Sequence, residues 1–364
     1  MKRIAIVTFH RAMNCGAMLQ AYALQEVLRK KHNAVILDYR CEELEYVYGY
    51  KKNFKKHLRC LGKFFLKHNS WVQETKRFRL FVEFSDKYFV KSARYNSKNV
   101  VDANEKFDIF IAGSDQIWNP KWSNEDWNYY LNFADSLKRY SYAASFGGDT
   151  IDNKYKVQIT KYLKTFQSIL LREYSGLNLL KILDVHNRNV GVVCDPVFLL
   201  SKNEWLKRFN LNPSKKGYIF LYFATNQTNS VQLAKKLAKK MGKKVIFYNS
   251  FATKNIDESF ENCIAAGPSE FLSLIYNADL VISTSFHALA FSLIFNVPFI
   301  YELNKEEKNN NSRLENLATI FKIKGRELQS VDDIEYEEIN WDRINACLEK
   351  YKSDSEKALF ESIH

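Results

Sequence analysis

Residues 264–303 read IAAGPSEFLSLIYNADLVISTSFHALAFSLIFNVPFIYEL, and this stretch decides the fold. An apolar β-run at 280–282 leads through a short polar turn into a helical run at 288–295. Pro298 then opens a second β-run. A strand, a helix and a further strand in this order predict a parallel sheet with crossover helices.

The turn within this stretch carries hydroxyl side chains and a histidine. Ser285 and His287 should lie at the carboxyl edge of the predicted sheet, beside the start of a helix. That edge is where open α/β sheets bind ligands, and the N–H groups of a helix start attract anions. His287 can equally cap its helix or fill a gap in the core, so spacing alone leaves its role open.

Length and composition indicate a two-domain globular protein. The chain has 364 residues, of which 46% are hydrophobic and 15% aromatic, enough for well-filled cores. The first residues, MKRIAIVTFH, favour a strand over a signal peptide. No apolar stretch approaches the roughly 20 residues of a membrane span. We therefore expect a soluble or peripheral cytoplasmic protein.

The cysteines and histidines predict neither a metal site nor a bound cofactor. No two cysteines form a CxxC pair, and the histidines lack the spacing of metal ligands. Several cysteines stand in apolar strand contexts, which is typical of a reduced, cytosolic protein. The six are Cys15, Cys41, Cys60, Cys194, Cys263 and Cys347.

Much of the net charge of +13 comes from the segment 51–80. It contains ten Lys and Arg residues against Glu74 alone. Such a basic amphipathic helix can pack its apolar face on its own domain or lie on an anionic membrane surface. Nucleic acid is disfavoured as a partner because no familiar binding motif accompanies the charge. The apolar face would consist of Phe54, Leu58, Leu61 and Phe65.

The N-terminal residues predict a βαβ unit. A β-run at 3–8 is followed by a helical run at 16–31 and a strand at 34–39. Asn14 and Gly16 lie at the strand-to-helix turn, where glycine allows a ligand to approach the backbone. The turn is not GxGxxG, so the dinucleotide fingerprint is absent.

Two later strands should bring polar loops to the same sheet edge. The strand at 107–112 leads to Asp115, and the strand at 140–144 leads to Ser145. Because the carboxyl ends of parallel strands meet at one edge, we expect these loops to line one site. The first loop also contains Trp118 and Asn119, which can stack on and hydrogen-bond a sugar.

The predicted fold class is α/β, with two Rossmann-like domains whose parallel sheets face a cleft. A helical run at 156–170 leads to Arg172, and the polar segment 201–217 is predicted to link the domains. The predicted domains are 1–205 and 206–340, followed by a C-terminal helix at 341–364.

Taken together, these motifs resemble the polysaccharide pyruvyl transferase family. They occur in the family's order over about residues 1–325. The matching segments are NCGA and LQAYAL within 14–24, GSDQIWN at 113–119, YAASFG at 142–147, REYS at 172–175, DPV at 195–197, and SFH at 285–287 with FS at 291–292.

The resemblance implies transfer of pyruvate from phosphoenolpyruvate to two hydroxyls of a sugar, as a cyclic ketal. It also implies a fold similar to the GT-B architecture of two-domain glycosyltransferases, with the acceptor on domain 1–205 and the donor on domain 206–340. The family's arginine and histidine, associated with donor binding and catalysis, match Arg172 and His287. Some members carry Arg-Leu-His where this chain has Ser285-Phe286-His287, so another cation must replace that arginine, and Arg313 is the candidate.

Phosphoenolpyruvate carries a carboxylate and a phosphate, which a guanidinium can pair two oxygens at a time. Arg172 suits this task, although it can instead form an ion pair with Glu173. Phosphoenolpyruvate would be a co-substrate, so no cofactor is required. The predicted donor-binding residues are Arg172, Ser175, Ser285, Arg313, Asn14 and Gly16.

Ketal formation needs a proton donor for the methylene carbon and a base for the acceptor hydroxyl. We predict His287 as the general acid, since its ordinary pKa lies near neutrality. Asp115 is preferred to Asp195 as the base, although either can simply cap a helix or turn. The predicted acceptor-binding residues are Trp118, Asn119 and Ser145.

Two alternatives stay open at this point. One is a glycosyltransferase that uses a nucleotide-sugar donor on the same kind of fold. The other is a membrane- or polyanion-binding protein that acts through the segment 51–80. We favour an enzyme of surface-polysaccharide synthesis, with a sugar or lipid-linked oligosaccharide as acceptor. An enzyme that uses this segment to dock to the inner face of the membrane is preferred to a pure binding role.

Overall fold

The protein is described here from a computed structural model. The structure describes residues 1–47, 68–187, 189–213, 217–223, 228–249, 256–304, 311–332, 336 and 338–364. These residues divide into two compact units. Unit 1 contains 1–47, Ser85–Leu200 and Lys350–His364, and unit 2 contains 68–84 and Ser201–Glu349.

Strands and helices alternate through most of the first 200 residues. Each strand is a short apolar run, and the helices between them carry the chain back so that the next strand lies parallel. The elements are β1 (Arg3–Val7), α1 (Cys15–Leu28), β2 (Asn33–Tyr39), α2 (Glu42–Val47), α3 (His68–Tyr88), β3 (Lys91–Tyr95), β4 (Ile109–Ala112), β5 (Arg139–Ala144), α4 (Asn153–Leu163), β6 (Ser168–Leu171), α5 (Tyr174–Ile182) and β7 (Val190–Val192).

In the described part of unit 1, seven parallel strands form one sheet in the order β3-β2-β1-β4-β5-β6-β7. The strand order reverses between β1 and β4, and such a switch point opens a crevice at the carboxyl ends of the strands. The helix α1 starts beside this point and is buried along nearly its whole length.

Unit 2 repeats this design with a smaller sheet. Its described strands are all parallel, in the order β10-β9-β8-β11-β12, and the switch point lies between β8 and β11. The elements after residue 200 are α6 (Lys202–Phe209), β8 (Tyr218–Tyr222), α7 (Thr228–Met241), β9 (Lys244–Tyr248), β10 (Glu261–Cys263), α8 (Pro268–Tyr276), β11 (Leu280–Ser283), α9 (Phe286–Phe295), β12 (Phe299–Tyr301), α10 (Ser312–Ile320) and α11 (Trp341–Ser362). The last of these helices belongs to unit 1 from Lys350 onward.

The predicted fold class, two α/β units with parallel sheets, is confirmed. Two local predictions were wrong. The run predicted as a helix to residue 170 ends at Leu163, and Ser168–Leu171 forms the strand β6. The segment 201–217 is not a plain linker, because α6 begins there with a capping box between Ser201 and Glu204.

The basic segment 51–80 lies only partly in the described chain. Residues 68–80 belong to α3. The four apolar residues predicted to form its membrane-facing or core-facing stripe fall outside the described residues. Membrane docking of this segment and packing of its apolar face on the protein therefore both stay predictions.

Candidate functional site

Arg172 follows β6 and lies among three carboxylates. Its Nη1 atom is 3.0 Å from Oδ2 of Asp195 and 3.9 Å from Oδ1 of Asp115, and its Nε atom is 3.4 Å from Oε2 of Glu173. The side chain is only 1% exposed. Burial lowers the pKa of the guanidinium, but the carboxylates raise it and the net shift is upward. The positive charge of Arg172 is thus balanced within unit 1.

Asp115 follows β4 in a left-handed backbone conformation, with a φ of 76°. Its Oδ1 atom accepts a 2.9 Å hydrogen bond from the N–H of Gln116, and its carbonyl oxygen accepts one from Ser145 at 3.1 Å. Strain of this kind persists only where the surroundings hold it, often at functional sites. The hydrogen bond from Gln116 holds the carboxylate in place. The side chain is 12% exposed, so it still reaches the surface.

Asp195, the other candidate base, is enclosed. One carboxylate oxygen accepts hydrogen bonds from Ser114 at 2.8 Å and Arg172 at 3.0 Å. The other accepts from the N–H of Val197 at 3.1 Å and so caps the short helix Pro196–Leu199. Its side chain has no exposed surface. This geometry favours Asp115 over Asp195 as a group that meets a substrate.

Ser145 and Glu173 connect two strand ends. The Ser145 hydroxyl donates a 2.6 Å hydrogen bond to Oε1 of Glu173 and accepts one from the N–H of Gly147 at 3.0 Å. Ser145 is fully buried, so its hydroxyl binds the loop after β5 and does not face solvent. Glu173 links this loop to Arg172, and its 3.4 Å contact with Nε is the ion pair that the sequence left open.

Trp118 does not occupy a sugar-stacking position. Its side chain is fully buried, and its ring lies 5.4–5.6 Å from those of Tyr130, Phe146 and Phe166. Trp118 therefore serves to pack the core of unit 1. Asn119 lies in the same loop, and its side-chain oxygen accepts a hydrogen bond from the N–H of Lys121.

The other predicted residues of unit 1 lie in first turns of helices. Asn14 caps α1, since its side chain accepts a hydrogen bond from the N–H of Ala17 at 3.2 Å. Gly16 is buried in the same turn. Ser175 lies in the first turn of α5, and its hydroxyl is buried without a hydrogen-bond partner in the described chain.

His287 lies at the switch point of unit 2, where β11 leads into α9. Ser285 is the cap of this helix and accepts a hydrogen bond from the N–H of Ala288, so the histidine itself is not the cap. The residue is 7% exposed, and its ring meets that of Phe286 edge to face at 5.1 Å. All ten residues of α9 are buried, which fixes the imidazole on a rigid element.

Hydroxyl groups set the shape of the turn before α9. Ser283 donates a 2.6 Å hydrogen bond to the carbonyl of Tyr222 and accepts one from the N–H of Ser285 at 3.0 Å. The ends of β8 and β11 are thereby tied together. The predicted polar edge is present, with Ser285 and His287 on the same turn.

A buried carboxylate already occupies the start of α7. One oxygen of Glu302 accepts hydrogen bonds from both the N–H and the hydroxyl of Ser230, at 3.0 and 2.5 Å. Glu302 is 1% exposed and follows β12. The protein's own anion thus lies where a helix start otherwise attracts one from solution.

Arg313 lies in the first turn of α10 and is half-buried. Just before it, Asn311 and Asn304 exchange two 2.8 Å hydrogen bonds that join the ends of the intervening loop. Arg313 belongs to unit 2, as does His287, whereas Arg172 and Asp115 belong to unit 1.

Each unit therefore places a candidate site residue just after a strand that borders the switch point of its sheet. Asp115 follows the strand on one side of the switch point in unit 1, and the turn to His287 follows the corresponding strand in unit 2. A model of one protein family, described as polysaccharide pyruvyl transferase, matches residues 14–305. The chain belongs to that family.

Solved structures show the same fold in distant proteins. UDP-GlcNAc 2-epimerase of Methanocaldococcus jannaschii is 13% identical, with a TM-score of 0.52 over 96% of this chain and 92% of that one. The Neisseria meningitidis enzyme is 11% identical, with a TM-score of 0.51 over 100% and 99%. The Rickettsia bellii enzyme is 12% identical, with a TM-score of 0.52 over 100% and 96%. At these identities the likeness concerns fold alone.

No curated protein sequence matches the chain significantly. Among the described helices, none is both long and apolar enough to cross a membrane.

Proposed function

We propose that this family member transfers pyruvate from phosphoenolpyruvate to two hydroxyls of one sugar, in a surface polysaccharide or its precursor, and forms a cyclic ketal. The position of His287 carries the proposal. It is a nearly buried imidazole in the first turn of a rigid helix, at the switch point of the unit 2 sheet. The family match supports the pyruvyl group as what is transferred.

The donor would bind at the start of α9. Its dipole favours an anion, and Ser285 supplies a hydroxyl on the same turn. The start of α7 is less suited, because Glu302 already lies there and would repel a phosphate. Arg313, in the same unit, is the cation that we propose for the donor. The donor contacts predicted from the sequence at Ser175, Asn14 and Gly16, in unit 1, stay predictions.

The reaction would begin with transfer of a proton from His287 to the methylene carbon of phosphoenolpyruvate. The central carbon becomes electrophilic, one sugar hydroxyl adds to it, and the bond to the phosphate oxygen breaks. The second hydroxyl then closes the ring. The two hydroxyls lose two protons in total. One replaces the proton that His287 gave to the new methyl group, and the other leaves with the phosphate.

Asp115 is the base that we propose for the acceptor hydroxyl. Its carboxylate is held by Gln116 and still reaches the surface, unlike that of Asp195. The Nη1 atom of Arg172 lies 3.9 Å from the Oδ1 atom of Asp115 and holds the carboxylate in place. We therefore propose that Arg172 positions Asp115, in place of the direct donor contact predicted from the sequence. Asn119 and Ser145 would position the acceptor side.

The test is incubation with phosphoenolpyruvate and a panel of glycosides that offer paired hydroxyls. A ketal product releases phosphate and gains the mass of pyruvic acid minus one water. A carboxyvinyl ether on a single hydroxyl has the same mass, so proton NMR must show a methyl signal and no vinyl protons. Release of nucleotide from a nucleotide sugar, without phosphate from phosphoenolpyruvate, would instead identify a glycosyltransferase.

Docking to an anionic membrane remains a proposal for the segment 51–80. Vesicles with and without phosphatidylserine, mixed with the full chain and with a chain lacking 51–67, provide the test. Equal flotation of the two chains on anionic vesicles would remove a membrane role for the deleted residues.

A further inference from the structure

Trp122 is an exposed aromatic side chain in the loop after β4. It is 45% exposed, whereas Trp118 in the same loop is fully buried. A single exposed apolar residue is ordinary on a protein surface. Trp122 differs because a hydrogen bond to its indole fixes the orientation of the ring.

Hydrogen bonds fix both the indole and the backbone of Trp122. Its Nε1 atom donates a 3.2 Å hydrogen bond to Oε1 of Gln116, and its backbone N–H donates one to the carbonyl of Asn119 at 3.1 Å. The same side-chain oxygen of Gln116 occupies the space that a Cβ at position 147 would need. The ring therefore loses little conformational freedom when a ligand covers it.

The same hydrogen bonds connect Trp122 to the proposed base. The N–H of Gln116 donates to the carboxylate of Asp115, while its side chain accepts from Trp122. The amide nitrogen of Asn119 lies against Gly147 beside them. An exposed aromatic side chain that is joined through one glutamine to a carboxylate matches the surface of a sugar, whose C–H faces are apolar and whose rim carries hydroxyls.

We propose that the indole of Trp122 is the platform on which the acceptor sugar stacks, with Gln116 as its positioning residue. The proposal rests on the proposed function, since it places a sugar hydroxyl near Asp115. It also transfers the stacking role, predicted for Trp118, to the tryptophan of this loop that is accessible.

Kinetics of Trp122→Ala and Trp122→Phe test the platform. We expect the alanine variant to raise the KM for the glycoside about tenfold or more. The KM for phosphoenolpyruvate should not change, because the ring contacts only the acceptor. Phenylalanine should restore most of the affinity, since it keeps an aromatic face. Leu137→Ala, which removes a side chain that is 76% exposed in unit 1, is the matched control.

Gln116→Leu separates positioning from contact. Loss of the hydrogen bond frees the indole, so the KM for the glycoside should rise by less than in Trp122→Ala. In the double variant the effect of the leucine should disappear. An equal effect of Gln116→Leu with and without Trp122 would show that Gln116 acts by another route.

Binding measurements keep this test independent of turnover. Methyl glycosides and short oligosaccharides of glucose, galactose, mannose and N-acetylglucosamine are titrated against tryptophan fluorescence, without phosphoenolpyruvate. A spectral change that is lost in Trp122→Phe supports the platform even if no pyruvate is transferred, in which case only the proposed function fails. An unchanged glycoside KM in Trp122→Ala, or no saccharide-dependent change in the wild type, overturns the platform.

Discussion

Arg172 and Asp195 form a 3.0 Å ion pair in which the side chains are 1% and 0% exposed. A buried pair of this kind contributes little net stability, but the loss of one partner leaves a charge without compensation. Arg172 also faces the carboxylates of Asp115 and Glu173. Its replacement would leave three carboxylates together around the same space.

We therefore expect Arg172→Met to lower the free energy of unfolding by about 3–5 kcal/mol, measured by urea denaturation. Arg172→Lys keeps the charge and should fold, although it cannot reach all three carboxylates with the same geometry. If Arg172 is a positioning residue, the lysine variant lowers kcat and leaves the KM for phosphoenolpyruvate unchanged. A large rise in that KM would restore the direct donor contact.

Substitutions of Asp115 separate its chemistry from its conformation. Asparagine accepts the left-handed backbone as readily as aspartate, so Asp115→Asn should keep the wild-type stability and lose most turnover. Asp115→Ala should in addition lose about 1–2 kcal/mol of stability, because an ordinary side chain is strained at this φ. Wild-type kcat in Asp115→Asn, measured by phosphate release, would rule out Asp115 as the base.

His287→Ala should abolish phosphate release while phosphoenolpyruvate still binds, because the variant removes the proton donor and not the anion site. Calorimetric titration with phosphoenolpyruvate gives the binding measurement. The matched control is His186→Ala, which removes a histidine whose side chain is 86% exposed and should leave turnover intact. Turnover at the wild-type rate in His287→Ala would remove the assignment.

Three glycines distinguish steric overlap from backbone strain. Gly147→Ala should destabilise most, since its φ is +81° and the new Cβ overlaps the side-chain oxygen of Gln116. Gly242→Ala should cost only about 1–2 kcal/mol, because its φ is +63° but no described atom lies within 4 Å of the new Cβ. Gly217→Ala has neither problem and should be neutral. Thermal unfolding of all three measures the order.

The ionised carboxylate of Asp38 stabilises unit 1, and this stabilisation is lost at acid pH. Burial raises the pKa of its carboxyl, but hydrogen bonds from His10 and Arg40 lower it, and the net shift is well below the usual value. The resulting stabilisation is fully present above about pH 4 and decreases as the pH falls. Asp38→Asn should therefore be less stable than the wild type at pH 7, and the difference should shrink by about 1 kcal/mol per pH unit below pH 4. A constant difference would contradict this linkage.

The alternation of strands and helices was predictable because each carries a local signal. The run from Leu280 to Phe295 changes from a short β-run to a long helical run at a serine cap, and the structure follows it. The strand β6 was missed because Ser168–Leu171 is a short apolar run without a period of its own, next to a helix. Whether such a run forms a strand or continues a helix depends on the strands that pair with it.

The site was less predictable, since its contacts join distant parts of the chain. Arg172 could be singled out by resemblance, but its approach to Asp115 and Asp195 depends on the order of the strands. Trp118 and Trp122 stand in one loop, and only tertiary packing decides which of them is buried. Periodicity carries no information on that choice.

Gly147 has a consequence for anyone who would redesign this enzyme by exchanging loops. The segment from Asp115 to Trp122 fits against a backbone that has no room for a side chain. A graft of that segment from a relative would need the matching turn after β5 as well. The two loops form a single module for engineering, although 20 or more residues of sequence separate them.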